Sequence, residues 1–253
     1  MDIKELLDKE VMLRNSANEL DYSRPDPLIV ARRFSDEHIA LTCALFAYGN
    51  ASQIVKFLEK LDFSLFLDDF DAFLLTLEDK YYRFQNSHDV IEWFKTLQKM
   101  SDMGGVESIF MDGYKDKNLI SALSHLIDTI YSLNPYRSQG YQFLISKPIT
   151  TVAKASAMKR WFMYLRWMIR ADELDMGLWS GVDKSELLMP LDTHTFNISR
   201  KLGLLQRKQC DLRASMELTE KLREFDATDP IKYDFALYRI GQEKLLDGYI
   251  ATR

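Results

Sequence analysis

Apolar residues recur every three or four positions along almost the whole chain, a period that suits helices and little else. Segments 2–14, 36–48, 50–61, 69–78, 88–100, 117–132, 155–170, 193–202, 211–224 and 229–246 all accept a 3.6-residue repeat. No run alternates strictly between apolar and polar residues with a hairpin turn at its end. An all-α fold is therefore expected. Helix punctuation agrees: Ser35 or Asp36 can cap the helix that carries Ile39 to Phe46, Ser87 can cap 88–100, and Gly203 stands where a glycine would stop 193–202. No repeat of solenoid length is visible. Two breaks stand out. Residues 101–116, with Gly104, Gly105 and Gly113, read as an irregular segment, and 171–189 reads as a second one, long enough to separate two packing units.

With 253 residues the chain can form one large domain or two closely packed ones. Its 47% hydrophobic content, with only 10 glycines and 6 prolines, excludes a disordered or low-complexity protein. Cys43 and Cys210 are too few for a disulfide framework or a four-cysteine metal site, and the four histidines are scattered without ligand spacing, so neither a metal nor a cofactor is expected. The opening MDIKELLDKE is charged where a secretory signal is apolar, and no uncharged apolar stretch approaches about 18 residues. The expectation is a cytoplasmic protein, neither exported nor embedded in a membrane.

The net charge of −5 is unevenly spread. Residues 152–223 hold 13 Lys/Arg against 9 Asp/Glu, net +4, which leaves −9 for the remainder. Between Lys60 and Lys80 lie Asp62, Asp68, Asp69, Asp71, Glu78 and Asp79 with no base among them, whereas Arg200, Lys201, Arg207, Lys208 and Arg213 face Asp211 alone. Two readings stay open: one region faces a polyanion, or both are solvated helix faces of opposite sign.

Turned at 100° per residue, the segment 157–170 (AMKRWFMYLRWMIR) gathers Met158, Trp161, Phe162, Leu165 and Ile169 on one side. Lys159, Met163, Arg166 and Arg170 share another face, within roughly 60° of one another. That strip is either a solvated surface or the wall of an anionic cleft. In the second case Lys159, near a helix N-terminus and other cations, is biased toward the neutral amine and should titrate below an ordinary lysine. Further on, Pro190 keeps Met189 out of helical geometry, and Asp192 or Thr193 is a natural N-cap for the helix ending at Gly203. His194, by itself, reads as a polar packing residue.

The spelling Pro-Leu-Asp-Thr-His-Thr-Phe-Asn-Ile over 190–198 resembles a segment of endonuclease III and its relatives, the helix-hairpin-helix DNA glycosylases. The resemblance implies that Asp192 is the catalytic carboxylate. It also implies that Lys159, 33 positions earlier, attacks the sugar C1′, with Lys154 as runner-up. This spacing is longer than in endonuclease III and is similar to that of the archaeal 8-oxoguanine glycosylases, with 171–189 as the insertion. Asp234 and Tyr238 look like the pair that reads and stacks on the base in those enzymes; a carboxylate suits guanine N1–H and N2–H2, and a ring supplies a stacking face. More weakly, Leu45 to Gln53 resembles the wedge at the first helix junction, which makes Asn50 the residue filling the gap left by an extruded nucleotide, with Gln53 behind it; as structure, Gly49-Asn50 is a helix stop and cap. The hairpin 147–156 departs from the usual pattern because it has no glycine, so phosphate contact would fall to Lys154, Ser156 and the helix amides. The terminal four-cysteine cluster of endonuclease III is absent.

Taken together, the resemblance implies a two-lobed helix-hairpin-helix glycosylase with its active site in the interlobe cleft. One lobe would span 41–186, and 1–40 plus 187–253 would form the other. The expected reaction is removal of 8-oxoguanine through a Schiff base on Lys159, followed by strand nicking. Asp234, Tyr238, Met163 and Arg166 would recognise the base, while Asn50, Gln53, Lys154, Ser156, Arg160, Arg170, His194 and Arg200 would hold the DNA. The partner would be lesion-containing duplex DNA and the protein a nucleoid-associated monomer. Three rival readings remain: a water-using glycosylase for alkylated purines, a catalytically silent DNA binder, and a helical scaffold with no DNA role.

Overall fold

The computed structural model describes residues 2–242. In chain order its helices are α1 (Ile3–Arg14), α2 (Pro27–Phe34), α3 (Glu37–Leu45), α4 (Ala51–Leu58), α5 (Phe63–Asp68), α6 (Phe70–Leu75), α7 (Ser87–Asp102), α8 (Gly105–Gly113), α9 (Leu119–Leu133), α10 (Gln139–Ile145), α11 (Lys159–Ile169), α12 (Thr193–Lys201), α13 (Leu212–Arg223) and α14 (Asp234–Gln242). Short 3-10 turns link several of them. Only isolated bridges, and no strand, occur among the described residues, so the fold is all-α. The segment expected as one helix over 229–246 begins as the 3-10 turn Pro230–Tyr233 and continues as α14. Its last four positions, 243–246, lie outside the described residues. None of the described helices is long and apolar enough to cross a membrane.

By internal contacts the chain forms two compact units, one of residues 20–149 and one of 1–19 with 150–253. These boundaries differ from those the sequence suggests at 40/41 and 186/187. The segment 171–189 does not separate units, because it folds back on the end of α11. Met176 and Gly177 donate backbone N–H groups to Trp167 O at 3.0 and 3.1 Å, and Trp179 N donates to Met168 O at 2.8 Å. Carbonyls that α11 leaves open at its C-terminus are thereby satisfied.

In the 20–149 unit, α7 and α9 supply much of the core. Trp93 is fully buried and its indole N–H donates to Thr42 Oγ1 at 3.0 Å. Phe94 meets Phe66 and Phe73 at ring-centroid distances of 5.3 and 4.7 Å. Two acids of the run are accounted for locally: Asp62 and Asp69 accept from Leu65 N and Ala72 N as the N-caps of α5 and α6, whose Phe63 and Phe73 are buried. Asp36 caps α3 through His38 N and Ile39 N. The α7 cap lies one residue before the expected Ser87: Asn86 accepts from Asp89 N, and Asp89 accepts from Asn86 N in return.

The supposed irregular stretch 101–116 contains α8. Its glycines serve close approach rather than looseness. Glu37 reaches in to accept from Val106 N (2.7 Å) and Glu107 N (2.9 Å), capping α8 from another helix. A Cβ on Gly105, whose φ is +96°, would stand 2.2 Å from the Glu37 Oε1 atom. At the other end, a Cβ on Gly113 would meet His125 at 2.5 Å, where α8 packs on α9.

The second unit is built from α1 and α11–α14. Helix α14 packs on α12 and on α1, and Tyr233 donates its hydroxyl to Asp8 at 2.8 Å. Arg239, 4% exposed, finds Glu19 at 3.0 Å. Gly203 ends α12 as expected: it has φ +73° and donates to Arg200 O, and Leu204 N donates to Ser199 O. That paired pattern closes a helix whose C′ residue is left-handed.

Candidate active site

Met158, at φ +50°, starts α11 so that Lys159 is its first residue. From Trp161 to Ile169 every residue of the helix is buried. Beyond Lys159 the basic strip is therefore neither a solvated surface nor an open wall. Buried guanidinium groups need partners, because an unpaired interior charge is costly. Arg166 lies between Asp175, at 3.0 Å, and Asp234, which accepts from its Nη1. Arg170 grips Asp229 with two hydrogen bonds of 2.9 and 3.1 Å, contacts Asp172 at 2.9 Å and shares Asp175 with Arg166. These pairings correct two expectations. Arg170 is committed to carboxylates and does not face a DNA phosphate, and Arg166 is held by protein acids in place of an incoming base.

The lysine at the start of the same helix meets a different acid. Asp192, in extended geometry after Pro190, accepts from Thr195 N at 2.8 Å as the N-cap of α12. Its other oxygen lies 3.2 Å from Lys159 Nζ. The pair is partly open to solvent, with side chains 34% and 19% exposed. Burial disfavours the ammonium, but Asp192, helped by Asp234 and Tyr238, outweighs it and holds the Lys159 pKa above the ordinary lysine range. The expectation of a lowered lysine is thus overturned. Arg166, counted in the sequence as a repelling neighbour, is neutralised by its own carboxylates, and the charge nearest the amine is negative. Asp192 moves the opposite way: burial pulls its pKa up, yet Lys159 and the Thr195 amide carry it below the usual carboxylate range.

Asp234 and Tyr238, one turn apart on α14, both act on the Lys159 amine, so four residues named from the sequence converge in one neighbourhood. Burial raises the Asp234 carboxyl, and Arg166 offsets only part of that. The bond from Arg166 goes to Oδ2. Tyr238 is half-buried, with Phe235 at 6.2 Å and the Arg239 guanidinium 5.6 Å from its ring. Met163, one turn beyond Lys159, is buried at 9% exposure.

The remaining residues are scattered more widely. Lys154, Ser156, His194 and Arg200 are exposed, and Arg160 is half-buried. Ser156 pairs in a backbone bridge with Asp211, and Leu212 N donates to Ala155 O at 3.2 Å, which sets the turn carrying Lys154 against α13. Arg207 is tied to Asp211 at 2.6 Å, whereas Lys154, Lys208 and Arg213 are exposed and make no ion pair among the described residues. Asn50 and Gln53, in the 20–149 unit, are exposed, and the Asn50 side chain caps α4 by accepting from Gln53 N at 3.3 Å. The carboxylates that sequence reasoning missed are Asp172, Asp175 and Asp229. Asp229 lies 59 residues from Arg170, and only the acidic spelling of 172–175 hinted at the local pair.

No curated protein and no solved structure matches the chain. The model of a protein family of unknown function, DUF2400, matches residues 26–243, which spans both units and every residue of the Lys159–Asp192 neighbourhood; the chain belongs to that family.

Proposed function

We propose that the protein is a base-excision DNA glycosylase with lyase activity that removes 8-oxoguanine. The helix-hairpin-helix glycosylase fold, with its interlobe active-site cleft, is part of the proposal. The observation that carries it is the pair of Lys159 Nζ and the Asp192 carboxylate at 3.2 Å, the carboxylate being fixed in turn by the α12 cap. An amine next to a positioned base is the arrangement of an activated lysine nucleophile. In the resting pair the lysine is an ammonium. Transfer of one proton to Asp192 frees the lone pair, which forms the bond to C1′ while the C1′–N9 bond breaks and its electrons leave with the base. Asp192 passes that proton to N9 of the departing base, and the carboxylate so restored stabilises positive charge on the sugar. The new secondary amine, still protonated, gives a proton to O4′ as the C1′–O4′ bond breaks, so the ring opens and the nitrogen becomes an iminium ion; loss of a C2′ proton then expels the 3′ phosphate and nicks the strand. Asp234 and Tyr238 read the extruded base, and the exposed Lys154, Ser156, His194 and Arg200, with the half-buried Arg160, contact the backbone.

A second reading has an observation of its own. With Lys159 protonated and Asp192 ionised, the carboxylate is also a base for water, as a hydrolytic glycosylase for alkylated purines requires. Borohydride separates the two. Duplexes carrying 8-oxoguanine or an alkylated purine, incubated with wild type, Lys159→Gln and Lys154→Gln, should yield a trapped adduct on 8-oxoguanine that only Lys159→Gln abolishes. Base release without an adduct would identify the hydrolytic enzyme. Neither release nor adduct, with DNA still bound, would leave a silent DNA binder and end the proposal.

A further inference from the structure

Residues 82–85 of the 20–149 unit turn back in two residues. Tyr82 N donates to Gln85 O and Gln85 N to Tyr82 O, both at 2.9 Å, which leaves Arg83 and Phe84 at the tip. Arg83 has φ +53°, a conformation that side chains other than glycine disfavour. The base of the turn is pinned: Gln85 Nε2 donates to Gly140 O at 2.7 Å, Tyr82 donates its hydroxyl to Tyr48 O at 2.6 Å, and the Tyr48 hydroxyl meets the Gln85 side chain. Strain accepted at a rigid tip points to a use for what the tip presents.

It presents rings and a cation. Phe84 lies nearly parallel to Tyr48, with ring planes 7° apart, and Phe143 packs edge-on to both at 4.8–4.9 Å. Phe84 is 56% exposed and Phe143 42%. The Arg83 guanidinium sits 5.6 Å from the Phe84 centroid and 5.8 Å from that of Tyr48, and makes no ion pair among the described residues. Gly49 leaves the room: a Cβ there would come within 2.8 Å of Arg83 Nη1. An apolar helix would gain nothing from the fixed guanidinium, and an acidic peptide nothing from the rings. A nucleotide uses both, because its base is a planar π-face and its phosphate an anion.

We propose that Tyr48, Arg83, Phe84 and Phe143 form a stacking platform for an unstacked base of single-stranded DNA, with Arg83 on the adjoining phosphate. The inference rests on the reading of the protein as a DNA enzyme. Its test uses the full chain carrying Lys159→Gln and a lesion-free single strand containing 2-aminopurine, whose fluorescence falls on stacking. Binding should quench the probe. Phe84→Ala should weaken binding roughly tenfold and remove the quench, Phe84→Tyr should restore both, and Arg83→Gln should lower the salt dependence by about one counterion. Phe84 is exposed, so an unchanged melting curve will show that the variants are folded. Absence of quench in the parent protein, or a Phe84→Ala variant that binds equally well, overturns the platform. So does a Phe84→Ala change that only dissociates a dimer. Borohydride trapping of the chain with Lys159 intact, on 8-oxoguanine duplex, keeps the two proposals apart: an adduct without quenching sinks the platform alone, and quenching without an adduct sinks the Schiff-base lyase reading alone.

Discussion

With Lys159 an ammonium and Asp192 a carboxylate 3.2 Å away, a proton can pass between them without exchange with solvent, and this determines how the site should respond to pH. Moving a proton from Lys159 to Asp192 leaves the pair's total proton count unchanged. A reaction that begins with that transfer should therefore run at a constant rate from about pH 5 to about pH 9, between the depressed carboxylate and the raised amine. Asp192→Asn removes both the acceptor and the charge that holds the lysine up. The remaining activity should then rise with pH, and single-turnover excision across that range would reveal the change; a wild-type rate climbing tenfold per pH unit would mean that the proton leaves to solvent. Arg170 calls for a different measurement. The residue is 7% exposed with its guanidinium among Asp172, Asp175 and Asp229, so Arg170→Met strands buried carboxylates and should cost about 3–5 kcal/mol in urea unfolding at neutral pH. A residue whose work was to meet a phosphate would cost under about 1 kcal/mol on replacement. Lys159 and Asp192 were legible because each sits in a short spelling with a chemical meaning. Asp172, Asp175 and Asp229 were not: the first two lie within nine residues of their arginines but beyond the end of α11, and Asp229 is 59 residues from Arg170, so none shares a helical period with its partner.

The same division between local and distant causes separates the helices. Those with long amphipathic stripes, such as α7 and α9, could be read from period and caps. The ones that escaped notice, α2, α5, α8 and α10, have 6 to 9 residues, a length at which a period registers weakly, although α3, α4, α6 and α12 are as short and were read. For α8 the obstacle was also chemical. Glycines next to each other read as a loop, whereas here Gly105 makes room for Glu37, a cap supplied from 69 residues away. Gly105→Ala must displace that carboxylate and accept φ +96°, so it should lower stability by about 2–3 kcal/mol. Gly203→Ala is the control. It meets nothing within 4 Å and carries only the left-handed backbone cost of about 1–2 kcal/mol. Denaturant midpoints for the two variants, side by side, test whether Glu37 really anchors α8: equal losses would mean that it does not.

On the scale of the whole chain, connectivity makes the two units unequal. Residues 20–149 are continuous and contain their own core of α2–α10, including Trp93, Phe94 and Phe110, all fully buried. The other unit is assembled from both ends of the described chain. Its α1, with Leu6 and Leu7 buried, packs on α14 and the Pro230–Tyr233 turn, Asp8 receives the Tyr233 hydroxyl, and Glu19 pairs with Arg239. Apolar period alone does not disclose this, since a helix at residue 3 looks the same whether it packs on its sequence neighbours or on residue 233. The expected boundaries therefore missed, although each of the helices involved was recognised. A chain beginning at residue 20 should retain a cooperative 20–149 unit. It should lose protection in 150–242, because the core of that unit would be open to water on the side where α1 packs, and Arg239, 4% exposed, would lack its carboxylate. Hydrogen exchange on the truncated protein would map the loss directly. The fragment 20–149 by itself should in turn unfold in a single sigmoidal urea transition. If it were instead unfolded in buffer, or if truncation at residue 20 left 150–242 protected, the independence of the two units would be refuted, and α1 would be an ornament on a single cooperative core.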